Sequence, residues 1–182
     1  MASVRLNIFE NQPLFHVAGL NVLLGVGSLH IHGIEMPGSI SFNNIAMIGS
    51  QGHTSQSASL SFGLYSLNGN TLSLANSASR SVNLAANGLS WLTIATSAEQ
   101  DITPGNWYLA VMSSTGGNNS LTLILNTVGI AGNAGYGGVF ARGWMSVSTS
   151  ALPSSIATSD LVREDTGPTT NALHHPYILI SA

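Results

Sequence analysis

The stretch SLSFGLYSLNGNTLSL, residues 59–74, decides the fold because apolar and polar residues alternate on both sides of an Asn-Gly pair. The alternating apolar residues are Leu60, Phe62, Leu64, Leu72 and Leu74. A period of two places each apolar set on one face of a β-strand, and Asn-Gly between such runs is a strong hairpin signal. The stretch therefore predicts an antiparallel β-hairpin.

The register of this hairpin depends on the length of its loop. A two-residue turn at Asn68 and Gly69 places Leu64 opposite a serine and sends the two apolar sets to opposite faces. A three-residue loop, 67–69, pairs Leu64 with Leu72 and keeps the apolar sets together. We therefore expect the three-residue loop, with its glycine in the left-handed conformation that glycine adopts at little cost.

The same alternation recurs along the chain, and twenty glycines mark many of the reversals. The apolar parity changes between Phe42 and Ile45, which predicts a β-bulge at Asn43 and Asn44. Further strands are predicted at residues 15–24, 29–32, 91–96, 107–112, 121–125, 139–145 and 177–180.

Short strands separated by turns every ~8–12 residues are typical of sandwiches and jelly rolls. We predict an all-β protein, an antiparallel, jelly-roll-like β-sandwich of about ten strands. The single domain spans residues 14–182, and residues 1–13 are expected to form an extended N-terminal arm that reaches a neighbouring molecule. Residues 127–138 are expected to form a long glycine-rich loop, and a short helical turn is expected near 154–161.

Charge is scarce in this chain. Charged residues make up 6% of the 182 residues, all four basic residues are arginine, and the formal net charge is -3 at pH 7. Nucleic acids and anionic membrane surfaces are bound by clustered Lys and Arg, so we expect neither partner. No apolar run reaches the ~18 residues of a transmembrane helix. A surface built from Ser, Thr, Asn and Gln suits a protein that spends its life in an assembly.

His30 and His32 lie two residues apart on a predicted strand, so they share one face. A third ligand such as His16 or His53 would complete a zinc site. The alternation, however, directs the leucine at 29 and the isoleucine at 31 inward, which turns both histidines outward. We therefore predict surface or interface residues and no metal site. The sequence alone leaves open whether this pair faces solvent, a partner or a metal.

The remaining polar clusters contain no recognisable catalytic motif. Asp160, Glu164 and Asp165 lack the alternating oxygen ligands of a calcium loop, and residues 25–27 lack the third glycine of a dinucleotide fingerprint. The adjacent histidines at 174–175 point opposite ways on a strand, so they do not chelate jointly there. No nucleophile elbow, phosphate loop or cysteine is present. We predict no enzymatic activity, no catalytic residue and no cofactor.

Aromatic rings offer another kind of site, a groove in which they stack on sugars. The candidates for such a groove are Trp91, Trp107, Trp144, Tyr65, Tyr108, Tyr136 and Tyr177. Trp107 shares strand parity with apolar neighbours and Trp91 precedes an apolar strand, so we expect both in the core. Tyr136 lies in the glycine-rich loop, where we expect it to be exposed and to contact a partner.

Three segments resemble small virion structural proteins of tailed bacteriophages: the hairpin at 61–74, Trp-Tyr-Leu-Ala at 107–110, and Ala-Leu-Pro-Ser-Ser-Ile at 151–156. The resemblance implies a virion component with a β-sandwich fold. The resemblance does not fix the position on the particle, and two roles follow from it. The first is a cement or decoration protein on the capsid surface, which stabilises the phage shell through symmetric contacts.

The partners implied by this resemblance are the major capsid protein and copies of the chain itself, with a trimer as the first expectation. The alternative is a tail-fibre or tail-tip module that recognises the host by binding surface glycans. No coiled-coil stalk precedes the domain in this sequence, which favours the decoration protein.

Overall fold

The computed structural model describes residues 5–6, 8–10, 20–24, 27–50, 56–84, 89–115, 121–127, 142–163, 174–176 and 178–181. Almost all of these residues lie in strands, and the helical structure among them is one 3-10 turn, Thr158–Asp160. The all-β prediction is therefore confirmed. The helical turn expected near 154–161 is also confirmed.

The strands form two sheets. Sheet A contains β1 (Arg5–Leu6), β2 (Ile8–Glu10), β3 (Leu20–Leu24), β5 (Ser39–Ser50), β8 (Leu89–Ile102), β10 (Leu121–Thr127), β14 (His174–Pro176) and β15 (Ile178–Ser181). Sheet B contains β4 (Ser28–Met36), β6 (Gln56–Asn68), β7 (Thr71–Leu84), β9 (Gly105–Thr115), β11 (Arg142–Ser146), β12 (Ser155–Ala157) and β13 (Val162–Arg163).

Eight of these strands have the connectivity of a jelly roll. Sheet A contains the neighbours β3-β10-β5-β8, and sheet B contains β4-β9-β6-β7. The chain passes repeatedly from one sheet to the other, and every pair in these two sets is antiparallel. Two interleaved Greek keys of this kind define the jelly roll. The predicted jelly-roll-like sandwich is therefore confirmed.

The described part of the N-terminal arm belongs to sheet A. Strand β1 pairs in parallel with β5, and β2 pairs antiparallel with β15. These pairings lie within one chain, whereas the expected contact of the arm with a neighbouring molecule stays a prediction.

The predicted hairpin is present as β6 and β7, but its three-residue loop is wrong. Asn68 pairs with Thr71 and Leu67 pairs with Leu72, so the connection consists of Gly69 and Asn70 alone. The expected left-handed glycine is confirmed, with φ +61° at Gly69. The register differs because both faces of β6 are buried, so keeping one apolar face together does not determine the pairing.

Two irregularities interrupt the ladders. On β7, Ala75 is skipped where the β6 register shifts between Leu64 and Tyr65. This extra residue reverses which face of β7 the following side chains occupy. The bulge predicted at Asn43 and Asn44 is confirmed, because the register of β5 with β8 shifts between Phe42 and Asn44. At this shift, most of the residues left without a partner in the ladder belong to β8 and not to β5.

An apolar layer fills the space between the sheets. Phe42 and Ile45 of sheet A and Phe62 and Leu64 of sheet B line one common space there. Other buried residues on this inner face of sheet B are Ile34, Met36, Leu60, Leu109 and Val111. Burial of apolar area from both sheets at this interface is the principal stabilising term of a sandwich.

The outward orientation predicted for the two histidines of β4 is wrong. His30 and His32 are only 7% and 1% exposed. His30 pairs with Val111 and His32 pairs with Leu109, so both histidines occupy the inner face of sheet B. The alternation was misleading because β4 is covered on both sides, and its second face also buries Leu29.

The outer face of sheet B carries a second apolar cluster. Residues 147–163, called the cover segment below, run across this face and contribute to the cluster. The cluster contains buried side chains from the strands and from the cover segment: Leu29, Ile31, Tyr65, Leu72, Tyr108, Ala110, Met112, Ile156 and Leu161. Sheet B is therefore covered on both faces.

Gly63 allows the cover segment to approach β6 closely. A Cβ atom at this position would lie 2.7 Å from Cδ1 of Leu152 and 2.9 Å from Cδ1 of Leu74. Both distances are shorter than carbon–carbon contact. The missing side chain of Gly63 thus leaves the space that Leu152 fills.

We predict that Gly63→Ala lowers the free energy of unfolding by about 1–3 kcal/mol, because the methyl group overpacks this contact. In the double variant Gly63→Ala/Leu152→Ala, the loss should be smaller than the sum of the two single losses, since the overlapping leucine atom is removed. Urea denaturation of the four proteins measures this coupling. Strict additivity would show that the two residues do not share the contact.

Candidate interaction surface

Backbone hydrogen bonds attach the cover segment to the end of the β6–β7 hairpin. Strand β12 of the cover segment pairs with Thr71–Ser73 of β7. The ladder is extended on one side, where the amide of Leu74 donates to the carbonyl of Ser154 at 2.9 Å. On the other side, the amide of Thr158 donates to the carbonyl of Asn70 at 2.8 Å. These bonds give the outer edge of β7 backbone partners as far along the strand as Leu74.

Tyr65 provides a side-chain anchor for the same segment. Its hydroxyl donates a hydrogen bond of 2.7 Å to the carbonyl oxygen of Pro153. The ring is fully buried in the outer cluster, and this burial raises the pKa of Tyr65 to about 12. Because only the neutral phenol can donate, the raised pKa keeps the anchor intact through the neutral and mildly alkaline range.

A depression of about 280 Å³ lies between the cover segment and β7. It contains no charged residue, and its lining consists of hydroxyl groups and small or aliphatic side chains: Ser61, Leu74, Ser77, Ala78, Ser79, Ser150, Ala151 and Leu152. Its volume is just below the ~300–1,000 Å³ of ordinary small-molecule sites. The depression therefore suits one or two uncharged side chains of a partner.

The outer edge of β7 runs beside this depression. Beyond Leu74, no strand among the described residues pairs with that edge, whereas the other edge of β7 pairs with β6 along its whole length. The neighbouring strand on this flank is β8 of the other sheet, which β7 meets through a hydrogen bond from the Asn76 side chain to the Gln100 side chain. We call residues 75–84 of β7 the open edge.

The open edge has almost no electrostatic protection. Its sequence, ANSASRSVNL, contains one charged residue, Arg80, and neither proline nor lysine. Edge strands of monomeric proteins are usually shielded by lysine, proline or bulges, since unpaired backbone groups invite another strand. Among the described residues of this edge, the protective devices are the charge of Arg80 and the bulge at Ala75, which lies at the beginning of the open edge.

Among the described residues, the histidine and carboxylate candidates do not form a cluster of metal ligands. Within the ranges that the structure describes, no three His, Asp or Glu side chains lie close enough to hold a metal ion. His16, His53, Glu164 and Asp165 lie outside those ranges. Asp160 is exposed, and the nearby Arg163 guanidinium donates to the carbonyl of Thr158 at 3.4 Å. The adjacent histidines at 174–175 lie in β14 and pair with β10.

The described aromatic residues do not line a groove. Tyr65 and Tyr108 are buried in the outer cluster. Trp107 is partly buried at the end of the inner face, where its Nε1 donates to the carbonyl of Thr103 at 2.9 Å, and Trp144 is also partly buried. The predicted core position of Trp107 is thus confirmed in part. The side chain of Trp91 and the residues Tyr136 and Tyr177 lie outside the described set.

Sequence reasoning missed both the open edge and the depression. The alternation predicted the strand at 71–74 but not its position at the edge of a sheet. The available signal was the run of uncharged, small residues from Ala75 to Ser79, which follows the hairpin and has no large apolar side chain to bury.

No protein-family model matches this chain, and no curated protein sequence matches it. In the part of the chain that the structure describes, no helix is long and apolar enough to cross a membrane. The jelly-roll connectivity and the open edge, with its single charge, are therefore the features of the described residues that bear on function.

We predict that Tyr65→Phe lowers the stability by ~1 kcal/mol at neutral pH, because the hydrogen bond to Pro153 is lost. The folded-state pKa of about 12 exceeds the unfolded value of 10.0, so the stability held by the neutral phenol is complete below pH 10 and is lost between pH 10 and 12. The phenylalanine variant has no such loss.

The stability gap between wild type and Tyr65→Phe should therefore close as the pH rises from 10 to 12. Urea unfolding followed by circular dichroism at a series of pH values measures the gap, and the remaining tyrosines serve as a shared background. A gap that stays constant over this pH range would contradict the buried, donating phenol.

Proposed function

We propose that this chain is a non-enzymatic virion structural protein, a decoration protein that stabilises a phage capsid from its surface. The observation that carries the proposal is a jelly-roll sandwich whose open edge, with a single charged residue, lies beside an uncharged depression. Jelly rolls recur in viral capsid and lectin domains. This analogy of fold supports a capsid role for the chain but assigns no binding site.

The charge distribution supports a role in assembly. With 6% charged residues, the chain has little long-range repulsion to keep copies apart. Strand edges and shallow uncharged depressions bind other polypeptides by backbone hydrogen bonds and by side-chain insertion. The proposed partners are the major capsid protein and further copies of this chain, and neither nucleic acid nor a membrane is a proposed partner.

The tail-tip alternative receives less support from the described residues. Recognition of glycans usually places aromatic rings at the surface, where they stack on the apolar faces of sugars. Tyr65 and Tyr108 are instead buried, and Trp107 and Trp144 are partly buried. The depression beside β7 presents serine hydroxyls without an aromatic ring.

The number of copies per particle tests the proposal. Purified virions carrying this chain would be separated on a denaturing gel, with the major capsid protein as the internal standard for stoichiometry. We expect hundreds of copies per particle, because a decoration protein occupies repeated positions on the shell. A handful of copies, located at the tail, would contradict the proposal and favour the host-recognition alternative.

A functional control uses particles that lack the chain. Such particles should release their genome at a lower temperature, and adding the purified protein should restore the resistance to heat. Purified protein that binds host cells or polysaccharide but not the deficient particles would also contradict the decoration role.

A further inference from the structure

We propose that Asn68 is a site of spontaneous deamidation, in which the backbone amide of Gly69 displaces the side-chain amide, and that the isoaspartate product loosens the cover segment. The reactant is the chain itself, and the co-reactant is water. This inference does not depend on the proposed function, because it concerns the chemistry of one turn and the attachment of the cover segment to that turn.

The reaction proceeds in two steps and exchanges one water for one ammonia. The amide nitrogen of Gly69 loses its proton and attacks Cγ of Asn68, the bond from Cγ to the side-chain nitrogen breaks, and ammonia leaves a five-membered succinimide. Water then adds to one of the two ring carbonyls and opens the ring. Attack at Cγ gives aspartate with a normal backbone, whereas attack at the backbone carbonyl gives isoaspartate, whose chain continues through the side chain.

The β6–β7 turn presents both reacting groups to solvent. Asn68 and Gly69 are exposed, and a Cβ atom built at Gly69 would meet no described atom within 4 Å. Asn68 and Thr71 are the last pair of the ladder, so Gly69 lies beyond it. In a two-residue turn the closing hydrogen bond runs from the Thr71 amide to the Asn68 carbonyl and does not use the Gly69 amide. Turns open locally at low free-energy cost, so this nitrogen can reach Cγ during brief openings.

Asn70 lies in the same turn and provides an internal comparison. It is also exposed, but the nitrogen that would attack its side chain belongs to Thr71, whose amide donates the closing hydrogen bond. The branched side chain of Thr71 also crowds that nitrogen, whereas Gly69 has no side chain. Two exposed asparagines in one turn should therefore react at different rates.

The isoaspartate product changes the backbone at the point where the turn holds the cover segment. The chain between Cα of Asn68 and the nitrogen of Gly69 gains one methylene group. The carbonyl of Asn70 accepts the amide of Thr158 at 2.8 Å, and Thr158 is buried. Because a two-residue turn has no further residue to absorb the added length, the longer chain displaces the Asn70 carbonyl from its donor.

The other end of this attachment provides a reference within the same molecule. There the amide of Leu74 donates to the carbonyl of Ser154 at 2.9 Å. The ladder of β6 and β7 separates this bond from the turn, so its geometry should be the same before and after the modification.

Peptide mapping by tandem mass spectrometry tests the modification. The full chain would be incubated at mildly alkaline pH, which favours loss of the amide proton, and a urea-unfolded sample would serve as the reference. We expect aspartate and isoaspartate to accumulate at Asn68 at least about tenfold faster than at Asn70, because opening the hydrogen bond of the Thr71 amide alone accounts for roughly that factor. Mapping is required because residues 87–88, outside the described residues, are a second Asn-Gly pair.

Amide hydrogen exchange followed by NMR tests the effect on the cover segment. In the isoaspartate fraction, the Thr158 amide should exchange at least about tenfold faster than in fresh protein, whereas the Leu74 amide should not change. Two matched variants separate the causes. Fresh Asn68→Asp has the new charge on a normal backbone, and incubated Asn68→Ser has no amide to lose, so both should keep the slow exchange of Thr158.

Four results would overturn the inference. If Asn68 stays intact in the native protein while the unfolded chain reacts there, the turn protects it. Equal rates at Asn68 and Asn70 would show that the Thr71 amide is no barrier. Unchanged exchange at Thr158 in the isoaspartate fraction would show that the cover segment does not depend on this turn. Faster exchange in fresh Asn68→Asp would assign the loosening to charge and not to the longer backbone.

Discussion

Sheet B has apolar side chains on both of its faces, and such a sheet is stable in water only when both faces are covered. Sheet A covers the inner face, and the cover segment at residues 147–163 covers the outer face. Attachment of the cover segment explains the missing side chain at Gly63 and the hydrogen bond from Tyr65 to Pro153. It also explains why strand β12 occupies only the beginning of the β7 edge, since the cover segment crosses the sheet there.

The same arrangement leaves residues 75–84 of β7 without a partner strand on their outer edge among the described residues. Protein interiors and interfaces are both built by burying apolar area and by pairing backbone groups, so an unpaired edge with one charge is suited to association. Beside the open edge, the outer face presents serine hydroxyls and the adjacent depression, whereas the covered parts of both faces contribute stability. In the proposed function the sandwich serves as a rigid body, and its chemistry consists of non-covalent contacts.

Local patterns predicted the elements of this fold, whereas its long-range arrangement set the details that were wrong. Alternation predicted the hairpin, and the change of parity after Phe42 predicted the bulge. The loop length and the orientation of His32 were wrong for one reason: alternation reveals the faces of a strand but not whether one or both are covered. The open edge of β7 depends on the order of the strands, which is set by pairings between residues far apart in sequence.

Burial of the inner face of sheet B beneath sheet A is the central claim of this account, and the reactivity of His30 and His32 tests it most directly. Diethyl pyrocarbonate modifies accessible neutral imidazole rings, and mass spectrometry of peptides locates each modified histidine. The account predicts that both residues react slowly in the native protein and rapidly after unfolding in urea, because they are 7% and 1% exposed on the inner face. Equal rates in the native and unfolded protein would contradict it.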